Sequence, residues 1–237
     1  MRPRYALFPL EGVPFSRLPE WPQAQVRVLA GPALGAGFVE YLLDLPAGGS
    51  GGHTADGRIE FFFYVVSGAV TLSVDGRDHA LSSGGFALVP PLSDFALKAR
   101  EQSSFLLVRK CHEPAPGVAP YKMLVGSQDR VPGEAYAGDP GARLQVLIPD
   151  DLSYDMAMNI FTFDTGHSLP ITETHVMEHG LYVMQGKGVY FLDDAWMEVE
   201  ATDFIWMGPF CPQSYYAAGP VASKYIYYKN VNREIPL

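Results

Sequence analysis

The densest group of side chains able to do chemistry lies between positions 173 and 179. Glu173, His175 and His179 fall here, and the chain has only 6 histidines in all. In an extended strand, side chains of the same parity share a face, so Glu173 and His175 point together and His179 can join them. One carboxylate and two imidazoles on one face are typical donors of a divalent metal site. Gln213 follows the strand predicted over residues 203–209 and could supply a fourth donor. Its spacing in the sequence alone does not place it beside the other three.

The alternative interpretation is a solvent-facing strand that carries ordinary polar residues. Clustering of these donors in an otherwise apolar half of the chain favours metal binding instead. Glu178 competes with Glu173 as the carboxylate, but its parity places it on the opposite face, so we interpret it as structural. A donor set without thiolate suits six-coordinate Mn²⁺ or Fe²⁺ with open positions better than a closed tetrahedral zinc site.

The elements that must position these donors form a repeat. The segment that begins at Glu60 lies over the one that begins at Glu178, and the same offset of 118 residues persists from residues 85–91 to residues 203–209. Two copies of one β unit are the simplest explanation. At this offset the first copy holds Ala55, Gly57, Phe61 and Phe95 in place of the four donors, so it is predicted to bind no metal.

Short β-branched and aromatic runs separated by turn residues predict an all-β fold, a sandwich or barrel with antiparallel pairing. No segment has the period and caps of a long amphipathic helix. Stretches rich in Pro and Gly set the predicted boundaries. Residues 1–112 would form an N-terminal arm and a degenerate metal-free barrel, residues 113–142 a linker, and residues 143–237 the metal-binding catalytic barrel.

Composition excludes several classes of partner. The chain of 237 residues carries a formal net charge of −9 and has no basic cluster, so nucleic acid is not an expected partner. Its apolar runs are far shorter than the roughly 18 residues of a membrane span, and no signal peptide precedes them, which predicts a cytoplasmic protein without a membrane partner. Exposed strand edges and the proline-rich arm predict a homo-oligomer.

Two features of the second copy resemble the two motifs of the cupin superfamily: Gly186 placed seven residues after His179, and the strand over residues 203–209. The duplication is that of a bicupin. Cupins usually show His-x-His, then Glu, then a late His, whereas this chain has Glu173-x-His175, then His179, then Gln213. This permutation, with the ending over residues 225–233, resembles the (S)-ureidoglycine aminohydrolases, manganese bicupins of allantoin and purine catabolism. The resemblance covers essentially the whole chain.

The resemblance implies two tandem cupin barrels of the double-stranded β-helix, or jelly-roll, type. It implies Mn²⁺ in the C-terminal barrel, with Fe²⁺ or another divalent metal also compatible, and hydrolytic deamination of a small anionic ureido substrate, (S)-ureidoglycine, to (S)-ureidoglycolate and ammonia. The implied metal ligands are Glu173, His175, His179 and Gln213. The implied substrate contacts are Glu173, Tyr190, Tyr225 and Lys229, of which Glu173 and Lys229 would be catalytic.

The residues agree with part of this reading. Tyr225, Tyr227 and Lys229 share one strand face, and an inward lysine is unusual unless it meets an anion. Two alternatives stay open at this point. The chain could be an Fe²⁺-dependent cupin dioxygenase built on two histidines and one carboxylate, or a metal-free bicupin that binds a small molecule.

Overall fold

The computed structural model describes residues 4–233, in which β-strands are the dominant regular structure and turns and loops connect them. The helical elements among them are single 3-10 turns at Leu10–Gly12, Pro32–Leu34 and Gln128–Arg130. In this part of the chain no helix has the length and apolar character that crossing a membrane requires. The strands are β1 (Tyr5–Phe8), β2 (Phe15–Leu18), β3 (Trp21–Ala30), β4 (Val39–Leu45), β5 (Ser50–His53), β6 (Ile59–Ser67), β7 (Ala69–Val74), β8 (Arg77–Ser82), β9 (Gly85–Val89), β10 (Phe95–Ala99), β11 (Ser103–Cys111), β12 (Leu124–Ser127), β13 (Glu134–Tyr136), β14 (Asp139–Val146), β15 (Met156–Phe163), β16 (His179–Gln185), β17 (Lys187–Leu192), β18 (Ala195–Glu200), β19 (Phe204–Met207), β20 (Gln213–Ala217) and β21 (Ser223–Asn230).

The first compact unit, named here the N-terminal barrel, contains residues 13–130. Its two antiparallel sheets have the strand orders β12-β9-β6-β11-β4-β3-β2 and β5-β10-β7-β8. Alternation of buried and less buried residues along β7 is the period-two pattern of a strand that covers a core with one face. Aromatic rings fill that core: the Phe95 ring lies 4.9 Å from Phe61 and 5.1 Å from Phe63, between ring centroids.

The second unit, the C-terminal barrel, contains the described residues up to 12 together with those from 131 onward. Its sheets have the orders β1-β19-β16-β21-β15-β14-β13 and β18-β17-β20. Its core is also aromatic, but several of the rings carry hydroxyl groups. Tyr190, Tyr215 and Tyr225 are buried together, with ring centroids of neighbouring pairs 5.4 to 6.2 Å apart.

The repeat found in the sequence is a repeat of strands. At the offset of 118 residues, β7, β8 and β10 coincide with β17, β18 and β20. The pairing of the strands corrects one residue equivalence between the two copies. His53 of β5 pairs with Phe95, whereas Glu173 forms an isolated bridge with Gln213. His53 therefore occupies the place of Glu173, two residues from Ala55, because the offset was carried across a loop whose length differs between the copies.

The structure divides the chain differently from the predicted boundaries. β1 pairs with β19, so the described residues of the predicted N-terminal arm belong to the C-terminal barrel. The predicted linker over residues 113–142 contains β12, which pairs with β9, and β13, which pairs with β14. Pro and Gly marked these segments as linker, but edge strands and hairpin turns also accept both residues.

We expect Phe95→Ala to destabilise the N-terminal barrel by about 3–5 kcal/mol, because Phe95 is 5% exposed and its removal leaves a cavity among packed rings. Urea unfolding of the purified protein measures the change. Leu92→Ala is the matched control, since Leu92 is 79% exposed and should alter the free energy of unfolding by no more than about 0.5 kcal/mol. Equal effects of the two substitutions would contradict the described core.

Candidate active site

The C-terminal barrel encloses a cavity of about 570 Å³. Strand β16 begins with His179 and β20 with Gln213, at the end of the barrel where the cavity lies. The structure brings together all the site residues predicted from the sequence. The cavity lining includes Glu173, His175, His179, Tyr190, Gln213, Tyr225 and Lys229.

A loop, not a strand, carries the first two donors. Residues 171–178 lie outside the strands, apart from the bridge between Glu173 and Gln213, whose two backbone hydrogen bonds measure 2.8 and 2.9 Å. The backbone carbonyl of His175 accepts a further bond from the Phe210 amide at 2.7 Å. The prediction that Glu173 and His175 lie on one extended strand was therefore wrong. The backbone bridge is what holds Glu173 beside Gln213.

The two histidines point the same ring nitrogen at each other. Nδ1 of His179 lies 3.1 Å from the Tyr228 carbonyl, and Nδ1 of His175 lies 3.2 Å from the Met177 carbonyl. A carbonyl oxygen can only accept, so each Nδ1 carries the proton and each Nε2 of the neutral rings presents a lone pair. The two Nε2 atoms are 3.2 Å apart. Facing acceptors at this distance fit a cation placed between them, and they are the observation on which metal binding rests.

The third donor, Gln213, is 4% exposed. Its Nε2 lies 3.2 Å from His175 Nε2, and its Oε1 accepts a hydrogen bond of 3.2 Å from the Tyr190 hydroxyl. Rotation about the last side-chain torsion exchanges the two ends of an amide and would turn the carbonyl oxygen toward the histidines. The amide is therefore placed to serve the same ion, with Tyr190 on its far side.

The carboxylate of Glu173 lies at the side of this cluster. Its Oε1 accepts a hydrogen bond of 2.6 Å from the Tyr136 hydroxyl. Within residues 4–233, Glu173 and the two histidines do not form a group whose ligand atoms all lie within 4.8 Å of one another. Glu178, by contrast, accepts a hydrogen bond from Trp206 and does not line the cavity, although the strand parity from which this was predicted is absent in the loop.

Burial controls protonation in the cavity. It lowers the pKa of His179 to about 3, with the His175 ring adding to the effect. The pKa of His175 is lowered first by burial and then by the charge of Lys229. Burial, reinforced by Glu173, raises the pKa of Tyr136 to about 12. The imidazoles are therefore neutral and the phenol is a hydrogen-bond donor at neutral pH.

Lys229 supplies the positive charge of the cavity. It lies in β21 opposite His179 on one side and Ala157 on the other, on the same face as Tyr225. Among the described residues, no carboxylate oxygen lies within 4.0 Å of its ammonium group. A cation inside a barrel without a carboxylate partner is suited to an anionic ligand.

Sequence reasoning missed several polar residues of the lining, among them Tyr136 and Asn159. Tyr136 falls in the segment predicted as linker, so its place was not considered. Asn159 donates to the Tyr227 hydroxyl at 3.2 Å, and its Oδ1 is buried without a hydrogen-bond partner. The parity of β15 could have indicated it, because Asn159 shares a face with the core residues Phe161 and Phe163.

We predict that the metal-free protein loses stability as the pH falls from about 6.5 toward 3. His179 in the unfolded chain takes up a proton near its ordinary pKa of about 6.5, whereas the buried ring does so only near 3, so the unfolded state binds more protons throughout this window. Urea unfolding of chelator-treated protein at pH 7, 6 and 5 measures the slope. His179→Gln should show a shallower slope, and equal slopes would contradict the assignment.

Comparison with known proteins places the chain in a family. A scan against models of protein families gives no match. The (S)-ureidoglycine aminohydrolase of Escherichia coli K12 is 35% identical over 237 residues, which cover 98% of this chain and 90% of that protein. A crystal structure from Pseudomonas aeruginosa, described as a glyoxylate induced protein, superposes with a TM-score of 0.91 at 34% identity and covers 100% of this chain and 92% of its own.

A more distant structure bears on the fold alone. The cupin 2 conserved barrel domain protein of Leptotrichia buccalis has a TM-score of 0.63 at 15% identity, and the match covers 95% of this chain and 96% of the other. Together with the two β units described above, it confirms the predicted bicupin. Identity of 35% over nearly the full length of an enzyme shows that this chain is itself an enzyme and belongs to the (S)-ureidoglycine aminohydrolase family.

Proposed function

We propose that this enzyme hydrolyses (S)-ureidoglycine to (S)-ureidoglycolate and ammonia with the help of a divalent metal, Mn²⁺. The names of its relatives support the reaction. The observation that carries the proposal is one cavity in which facing imidazole acceptors lie close to a lysine without a carboxylate partner. The first group suits a metal ion, and the second suits the carboxylate of a small anionic substrate.

The residues that would hold the ion are Glu173, His175, His179 and Gln213. Two imidazoles, an amide oxygen and a carboxylate form a donor set of intermediate hardness, which suits Mn²⁺ and also accepts Fe²⁺ or another divalent ion. When bound, such an ion supplies Lewis acidity and favours ionisation of water at neutral pH. The neutral state of both imidazoles keeps their Nε2 lone pairs available for it over the physiological pH range.

Substrate binding is assigned to the polar wall of the cavity. Lys229 would pair with the substrate carboxylate, and the buried hydroxyl of Tyr225 lies on the same strand face. Tyr225 also hydrogen-bonds Tyr190, which in turn donates to Gln213. Tyr190 is 2% exposed, so its main contribution would be to orient Gln213, and the predicted substrate contact at Tyr190 stays a proposal.

The proton movements follow from the atoms of the reaction. A water oxygen forms a bond to the α-carbon of ureidoglycine, and the bond from that carbon to its amino nitrogen breaks with its electron pair, so nothing is oxidised or reduced. The water gives up a proton and the leaving amine takes one. Glu173, whose backbone is bridged to Gln213, is the carboxylate assigned to accept the first proton and deliver it to the amine, because Tyr136 engages only its Oε1.

Three features of the setting stay predictions. They are homo-oligomerisation, a cytoplasmic location, and a role in allantoin and purine catabolism, which would follow from the proposed substrate.

The reaction is tested by ammonia release from freshly generated (S)-ureidoglycine in an anaerobic chamber. We expect Mn²⁺-reloaded enzyme to accelerate release at the same rate with and without oxygen, and chelator-treated enzyme to fall to the spontaneous rate. A dioxygenase would stop without oxygen and require Fe²⁺, and a binding protein would give no acceleration. Either result would refute the proposed function.

Lys229→Met should lower kcat/KM about 30-fold or more, because loss of a charged partner to a buried anion costs at least about 2 kcal/mol. The metal content should stay at the wild-type value, since an ammonium group is not a metal ligand. Steady-state kinetics and elemental analysis measure the two effects. Lys224→Met, on the opposite face of β21, is the matched control and should behave as wild type. Unchanged kinetics of Lys229→Met would place Lys229 outside the substrate site.

A further inference from the structure

Each of the four side chains proposed to hold the metal is fixed by one further contact on its far side. Backbone carbonyls of Met177 and Tyr228 accept from the two histidines, and the Tyr190 hydroxyl, which can donate or accept, hydrogen-bonds the end of the Gln213 amide that faces away from them. The corresponding partner of Glu173 is the hydroxyl of Tyr136, at 2.6 Å from Oε1. Such outer partners set the orientation and basicity of metal ligands. Tyr136 is the side chain of this set for which the sequence suggested no role.

The fold fixes Tyr136 from two directions. It ends β13, and the next two residues, Ala137 and Gly138, have φ angles of 51° and 83°. Two consecutive residues with positive φ are typical of the type I′ turn that closes a two-residue hairpin. The Tyr136 ring also packs edge-on against Phe161, with ring centroids 4.9 Å apart and an interplanar angle of 88°. The hydroxyl is therefore directed by a turn and a ring contact that do not depend on Glu173.

We propose that Tyr136 is a positioning residue for Glu173, holding Oε1 so that the other carboxylate oxygen is presented to the metal. This inference rests on the metal site of the proposed function. A hydrogen bond from a phenol to a carboxylate at 2.6 Å is short and charge-assisted, so it can select one orientation of a side chain that otherwise rotates freely. Without the hydroxyl, Glu173 stays next to Gln213 through the backbone bridge but its carboxylate loses its fixed direction.

Two other roles for Tyr136 would give different results. If the phenol only contacted substrate, its removal would leave metal binding unchanged. If Tyr136 only packed the hairpin against Phe161, substitution by phenylalanine would change neither metal binding nor substrate binding, because the ring contact is retained. Mn²⁺ affinity therefore separates positioning of Glu173 from both alternatives, and its measurement requires no substrate.

The test is a double-mutant cycle on Mn²⁺ affinity with chelator-treated wild type, Tyr136→Phe, Glu173→Gln and the double variant, titrated with Mn²⁺ and followed by electron paramagnetic resonance. Tyr136→Phe should weaken binding about tenfold in the wild-type background, the lower end for outer partners of a ligand. In the Glu173→Gln background it should change the affinity by less than about twofold, since the hydroxyl acts through that carboxylate. Tyr216→Phe, at a tyrosine 42% exposed and outside the cavity lining, is the control and should bind as wild type.

Three results would overturn the inference: an unchanged Mn²⁺ affinity of Tyr136→Phe, an equal loss in both backgrounds, or a wild-type protein that binds no Mn²⁺. Thermal unfolding of the metal-free variants guards against a fold defect, and Tyr136→Phe should melt within a few degrees of Tyr216→Phe. Ammonia release by the wild type is measured separately. One result would be a wild type that releases no ammonia while the effect of Tyr136→Phe on Mn²⁺ affinity still depends on Glu173. That result would reject the proposed reaction and leave the role of Tyr136 standing.

Discussion

The close approach of two imidazole nitrogens that both carry lone pairs is the constraint on which the rest of the C-terminal barrel depends. The Tyr228 and Met177 carbonyls fix the proton on Nδ1 of His179 and His175, so the opposed Nε2 atoms cannot hydrogen-bond each other. Burial prevents relief of the repulsion by protonation. The barrel thus presents two imidazole lone pairs side by side, an arrangement that suits a positive charge placed beside them.

The two copies of the β unit solve the same packing problem with different side chains. Phe61 and Phe95 of the N-terminal barrel stand where His179 and Gln213 stand in the other copy, and their rings close the interior by contact alone. Polar groups in the C-terminal barrel need partners, and the tyrosines of its core provide them without loss of aromatic packing. At the same offset, Leu72 and Leu97 stand in the N-terminal barrel where Tyr190 and Tyr215 stand in the C-terminal barrel, so hydroxyl groups enter the second core at positions that are aliphatic in the first.

Much of the fold and site was predictable because strand period, turn residues and the internal repeat are local or self-consistent signals. Clustering in the sequence singled out Glu173, His175 and His179 as candidate donors, and resemblance to a known family added the roles of Gln213, Tyr190, Tyr225 and Lys229; all of these residues line one cavity. The equivalence of His53 with Glu173 was missed, because a change in loop length leaves no mark in an ungapped offset. Tyr136 was missed because contact between a hairpin tip and a residue 37 positions away is set by pairing of β13 with β14 and by packing on Phe161, neither of which composition reveals.

Lys229 has a consequence for how the cavity meets a charged ligand. The side chain lines the cavity and is partly buried, and among the described residues its ammonium group has no carboxylate partner. An anion that enters the cavity therefore meets a positive charge that is already in place, and no ion pair between side chains has to break before it binds.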